Sequence, residues 1–181
     1  MPEASVLIVG TETAAVETDL VGGHLVCLHC GEVLRPWGHA RGRELRRRHG
    51  SDRLRPRRAI CAGCGTTHVL LPDDSIARRR DEVGVIGAAL VAKAGGSGHR
   101  RIAAGLGLPA TTVRGWLRRF GLGAETIREH FTRWAHALDP ALAAMSPAGS
   151  ALADAVEAVG VAARAGCGAS VPARRGRSPR C

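Results

Sequence analysis

Cys27-Leu28-His29-Cys30-Gly31 returns further along the chain as Cys61-Ala62-Gly63-Cys64-Gly65. Two thiolates three positions apart can bite one ion within a tight turn, and the glycine after each pair accepts the backbone conformation such a turn requires. Two turns of this kind supply four sulfurs, a set that suits a tetrahedral Zn²⁺. Filling all four positions leaves none for a catalytic water, so Cys27, Cys30, Cys61 and Cys64 read as ligands of one structural zinc. Two disulfides or a redox Cys-x-x-Cys are the alternatives; a reducing cytoplasm favours metal. His24, His29, His39 and His68 stand nearby as substitute ligands.

Residues 31–60 separate the pairs, more than the common spacing of about 15–20, and a hairpin inserted into a zinc ribbon would fill them. Short apolar runs flank the pairs, His24-Leu25-Val26 before the first and Thr67-His68-Val69-Leu70-Leu71 after the second. Both read as strands, the latter closed by Pro72. The insertion holds ten arginines, at 35, 41, 43, 46, 47, 48, 53, 55, 57 and 58. Arg46, Arg47 and Arg48 are candidate phosphate contacts, since guanidinium forks match phosphate oxygens; a merely solvated basic surface is the alternative. Trp37 reads as an apolar anchor for the ribbon.

The 181 residues carry a net charge of +10, with 45% hydrophobic and only 3% aromatic side chains. The charge favours a polyanionic partner. Lys93 is the sole lysine, and Asn, Gln and Tyr are absent. That pattern matches a GC-rich coding sequence, which inflates arginine, so charge is supporting evidence only. No apolar run approaches the ~20 residues of a membrane span. Val6-Leu7-Ile8-Val9 is too short for a secretory signal core, and the expected location is cytoplasmic, associated with the nucleoid.

After the ribbon, helical periodicity covers 83–94, about 99–106, about 110–120 and 124–138. His99 to Arg118 has the spacing of a helix-turn-helix. Ala103 allows close helix crossing, Gly107 supplies a left-handed turn and Pro109 starts the second helix. Ile102, Leu106, Leu108, Val113 and Trp116 form its interior. The second helix would then read DNA, with Thr111, Thr112 and Arg114 on base edges. Arg100, Arg101, Arg118 and Arg119 would hold phosphates. A plain helical hairpin is the alternative.

Pro36-Trp37-Gly38-His39, Arg55-Pro56-Arg57-Arg58 before Cys61, and Thr67 to Pro72 resemble an uncharacterised family of actinobacterial proteins that joins a zinc ribbon to a helix-turn-helix. The arrangement over roughly 24–138 is also similar to the N-terminal DNA-binding part of insertion-sequence transposases. That resemblance implies a transposon-related or regulatory factor. The carboxylates after the helices sit in an Ala-rich stretch with no room for a nuclease domain.

The expected fold is therefore α+β: residues 1–23 a flexible N-terminus, 24–72 a four-cysteine zinc ribbon with an Arg-rich hairpin, 73–82 a connector, and 83–123 a helix-turn-helix. C-terminal helices follow over 124–165 and a disordered basic tail over 166–181. The expected partner is double-stranded DNA, bound without nuclease activity by a monomer or a homodimer. A protein-interaction module and an RNA-binding zinc module are the competing readings. No Ser-His-Asp set, phosphate loop or paired carboxylates suggest an enzyme.

Overall fold

The computed structural model describes residues 5–168 and has the expected α+β make-up, sheet first and helices after. The chain divides into two compact units, Met1–Ile86 and Gly87–Cys181. Among the described residues no helix is long and apolar enough to cross a membrane.

The first unit is built on a four-stranded sheet in the order β1-β6-β5-β2. Its strands are β1 (Ser5–Val9), β2 (Leu34–His39), β5 (Arg57–Cys61) and β6 (Thr67–Pro72). β1 runs parallel to β6, and the other two pairings are antiparallel. Alternation sorts the side chains. Leu34, Ala59, Cys61 and Leu70 turn to one face, joined by Leu7 and Val9, and helix α1 (Thr13–Val21) covers it with Val16 and Leu20. Two of the six fully buried members of this core, Cys27 and Cys61, are cysteines, so the apolar core proper is small. β3 (Arg43–Arg47) and β4 (Gly50–Leu54) form a separate two-stranded hairpin, the insertion between the cysteine pairs.

Two expectations are corrected here, and the connector gains a defined place. Residues 1–23 are not a flexible terminus throughout, because 5–21 supply an edge strand and the helix that closes the core; the Val6-Leu7-Ile8-Val9 run is strand sequence. His24-Leu25-Val26 is no full strand and makes only the Val26–Val33 bridge. The 73–82 connector is docked against the hairpin: Arg46 bridges Asp81, and the amide N–H groups of Arg46 and Glu82 bond to Arg80 O and Arg46 O.

Helix α2 (Val83–Ala94) carries the chain into the second unit. There, α3 (His99–Leu106) and α4 (Ala110–Leu122) pack together, followed by α5 (Ala124–Leu138) and α6 (Ala151–Gly168). Ala135 packs with Val161 and Ala162, and Leu138 Cδ1 lies 3.6 Å from where a Cβ on Gly166 would stand. The C-terminal halves of α5 and α6 are therefore side by side, and the two helices run parallel. Residues 139–150 return the chain along them. Residues 166–168, expected in the tail, belong to α6; the rest of that tail lies outside the described residues.

Candidate functional site

The two knuckles have the same backbone hydrogen bonds. Cys27 N–H bonds to Glu32 O and Gly31 N–H to Cys27 O; likewise Cys61 N–H bonds to Thr66 O and Gly65 N–H to Cys61 O. Gly31 and Gly65 both take positive φ, 76° and 70°, where a side chain would be strained. Further N–H groups point at sulfur, from His29 to Cys27 and from Cys64 to Cys61, at 3.4 Å each. The knuckles are neighbours because β2 pairs with β5, placing Leu34 opposite Cys61.

The four Sγ atoms lie within 4.8 Å of one another. A tetrahedral ion with bonds of about 2.3 Å needs sulfurs about 3.8 Å apart. Cys27–Cys64 at 3.7 Å and Cys30–Cys61 at 3.4 Å are close to that edge. The donor set therefore fits one metal ion, as the cysteine spacing leads one to expect. Four sulfurs so close cannot all carry negative charge without a cation among them. The Thr66 hydroxyl, then its backbone, bring Cys64 down to about 6. The backbone of Glu32 pulls Cys30 down, but the neighbouring cysteines and burial outweigh it and push that thiol up to about 12.

His68 is buried on the core face of β6, with Nε2 3.3 Å from Cys27 Sγ and Nδ1 without a partner. Burial, then the nearby His29, lowers its pKa, favouring the neutral ring. In the Nε2–H tautomer it donates to the Cys27 sulfur, the outer-shell support that metal thiolates commonly receive. His24 lies beside Asp19 instead, and His39 is exposed.

The arginines of the insertion meet a different fate from the one expected. Arg47 Nη1 reaches Asp74 Oδ2 at 2.6 Å and Glu82 Oε1 at 2.8 Å, and its Nε bonds to Asp52. Arg46 pairs with Asp81 at 2.9 Å, and Arg43 donates to Ile76 O. Arg46 and Arg47 are therefore corrected as phosphate contacts: carboxylates of the connector and the hairpin already occupy them. Only Arg48 of that run is exposed and unpaired among the described residues. Arg57 is held by both oxygens of Glu17 and in turn bonds to Gly38 O. Trp37, expected as a core anchor, is 55% exposed.

In the helical unit α3 ends in a Schellman arrangement, with Leu108 N–H on Ala103 O, Gly107 N–H on Ala104 O, and Gly107 at φ 64°. Pro109 opens α4 from an extended conformation. Ile102, Ala103, Val113, Trp116 and Leu117 are buried between and beneath these helices. Thr111, Arg114, Arg118 and Arg119 are exposed on α4, and Thr112 is half-buried. Arg100 and Arg101 are exposed on α3. None of these five arginines pairs with a carboxylate among the described residues.

No family model, curated protein or solved structure matches this chain.

Proposed function

We propose that this protein binds double-stranded DNA through α4, and that one Zn²⁺ held by Cys27, Cys30, Cys61 and Cys64 keeps the first unit folded. The observation that carries the reading is the α3–turn–α4 pair: its inner residues are buried, while Arg114 and Arg118 stand out on the second helix with no carboxylate to neutralise them among the described residues. A helix bearing unpaired guanidiniums on its open side suits a major groove. Thr111 and Arg114, in its first turns, contact base edges, with half-buried Thr112 at the margin. Arg114 can take guanine in bidentate fashion. Arg100, Arg101, Arg118, Arg119 and Arg48 hold phosphates. The zinc is structural, since four thiolates complete its shell. A mobile-element or regulatory role rests on the sequence resemblance alone.

Selection of bound duplexes from a random pool by the metal-loaded chain tests this. The expected result is an enriched motif containing guanine, with affinity falling steeply as salt rises. Recovery of the pool unchanged would contradict the reading.

A further inference from the structure

The segment between β6 and α2 folds into a closed loop. Ser75 pairs with Glu82, with residues 76–81 between them. Ser75 and Asp81, at its base, are each 4% exposed, whereas Ala77, Arg78 and Arg80 toward its tip are exposed. β3 holds the loop on both sides. Arg43 Nη2 donates to Ile76 O at 3.0 Å, and Arg46 N–H donates to Arg80 O beside the Arg46–Asp81 bridge. The loop is therefore a fixed part of the first unit.

Its charges are sorted. Asp74, Asp81 and Glu82 are all spent on the hairpin, the first and last on Arg47 and Asp81 on Arg46. Asp73, the remaining acid of the segment, precedes the loop. Arg79 is half-buried, but Arg78 and Arg80 face solvent, and neither pairs with a carboxylate among the described residues. Two uncompensated guanidiniums thus stand on one pinned tip.

Arg78 has φ 62° and is the one non-glycine residue with positive φ among the described residues. The turn around it is closed by Arg79 N–H on Ile76 O at 3.1 Å. A side chain at such a φ costs stability that glycine would not. Strained positions of this kind cluster at functional sites, and here the strain keeps a guanidinium at the tip.

A tip of this charge fits a polyanion. It has no aromatic side chain on which unpaired bases could stack. Ile76, 37% exposed, is its one large apolar side chain, too little to enter a bilayer. Guanidinium forks on a rigid turn suit the backbone phosphates of a duplex.

We infer that the 76–81 loop is a second duplex-binding element, in which Arg78 and Arg80 hold backbone phosphates without reading bases. This rests on the proposal that the chain binds double-stranded DNA, and it gives the first unit a direct part in that binding.

The test is anisotropy of the zinc-loaded full chain with a selected and a scrambled duplex across a salt series. Arg78→Ala combined with Arg80→Ala should lower the slope of log affinity against log salt by about 2, one per phosphate contact. Both duplexes should weaken alike, so the selected-to-scrambled ratio keeps its parent value. Arg78→Gly retains the turn and relieves its φ; it should melt close to the parent yet lower the slope by about 1. Arg78→Lys should keep the slope, because the charge remains. An unchanged slope in the double variant, with the parent binding duplex, overturns this inference and leaves the α4 reading standing. No duplex binding by the parent overturns both. A preference for phosphatidylserine vesicles or for an RNA hairpin over the DNA duplex, lost in the double variant, overturns this inference as well.

Discussion

Three arginines of the β unit and the five on α3 and α4 have opposite fates. In the β unit Arg46, Arg47 and Arg57 are consumed by Asp81, Asp52, Asp74, Glu82 and Glu17. On α3 and α4, Arg100, Arg101, Arg114, Arg118 and Arg119 have no such partners among the described residues. The same residue type thus ties a hairpin to its connector in one region and stays available to a polyanion in the other. Density of positive charge along the sequence is a poor guide to where a phosphate would sit; the position of carboxylates in space decides it. The units also differ in cohesion. The β unit has a small apolar core in which cysteines take part, whereas the helical unit is closed by Ile102, Val113, Trp116 and an Ala-lined contact between α5 and α6.

The sharpest way to break this contrast is metal removal. Structural zinc contributes about 10–16 kcal/mol in small modules, comparable to the whole stability of a domain. Excess chelator should therefore collapse amide NMR dispersion for residues 5–82 and leave α3–α6 intact. Loss of both sets, or of neither, would show that cohesion does not divide this way.

Core truncations come next. Leu70→Ala should cost the β unit about 2–5 kcal/mol and Trp116→Ala the helical unit about 3–5 kcal/mol, read as separate shifts in thermal melts of the full chain. Bound zinc should be unchanged in Trp116→Ala.

Arg47→Ala and Arg118→Ala probe the fates of arginine directly. Arg47→Ala removes charged hydrogen bonds at a partly exposed site and should destabilise by about 1–2 kcal/mol, without altering duplex affinity. Arg118→Ala should stay within about 0.5 kcal/mol of the parent in stability, yet lower the slope of log affinity against log salt by about 1. Exchanged phenotypes would mean the assignment is inverted.

The smallest effect is acidic. The hydrogen bonds from Arg57, against some burial, hold Glu17 below its usual pKa. That pairing stabilises the fold above the unfolded carboxylate value of 4.5 and is lost as pH falls through the lower folded value. Chemical denaturation across a pH series should show that Glu17→Gln flattens the decline of stability below about pH 4.5 and destabilises by under about 1 kcal/mol at neutral pH.

The local parts of this architecture were legible. Cys-x-x-Cys-Gly repeats announce a knuckle within a single turn, and Ala103, Gly107 and Val113 announce a helix pair over a short stretch. The helices at 83–94 and 124–138 follow from periodicity. What escaped was non-local. Nothing near Arg47 says that Asp74 and Glu82 will fold onto it, and β1 finds its partner β6 only through the tertiary fold. Trp37 looks like core by residue type, and a bulge beside a positive-φ glycine turns it outward. His68 beside Cys27 needed the register of β6, which the alternation of that strand hints at. The Val6-Leu7-Ile8-Val9 run carries a strand signal of its own, four consecutive apolar residues of high β-propensity.

The most direct test of the account is the affinity ratio between a selected duplex and a scrambled one, measured by anisotropy at fixed salt for the parent chain, Arg114→Ala and Arg47→Ala. The account predicts that Arg114→Ala lowers the ratio by about 5- to 150-fold, the worth of one bidentate base contact at roughly 1–3 kcal/mol, while Arg47→Ala leaves it unchanged. An equal ratio in the parent and in Arg114→Ala would contradict sequence reading by α4.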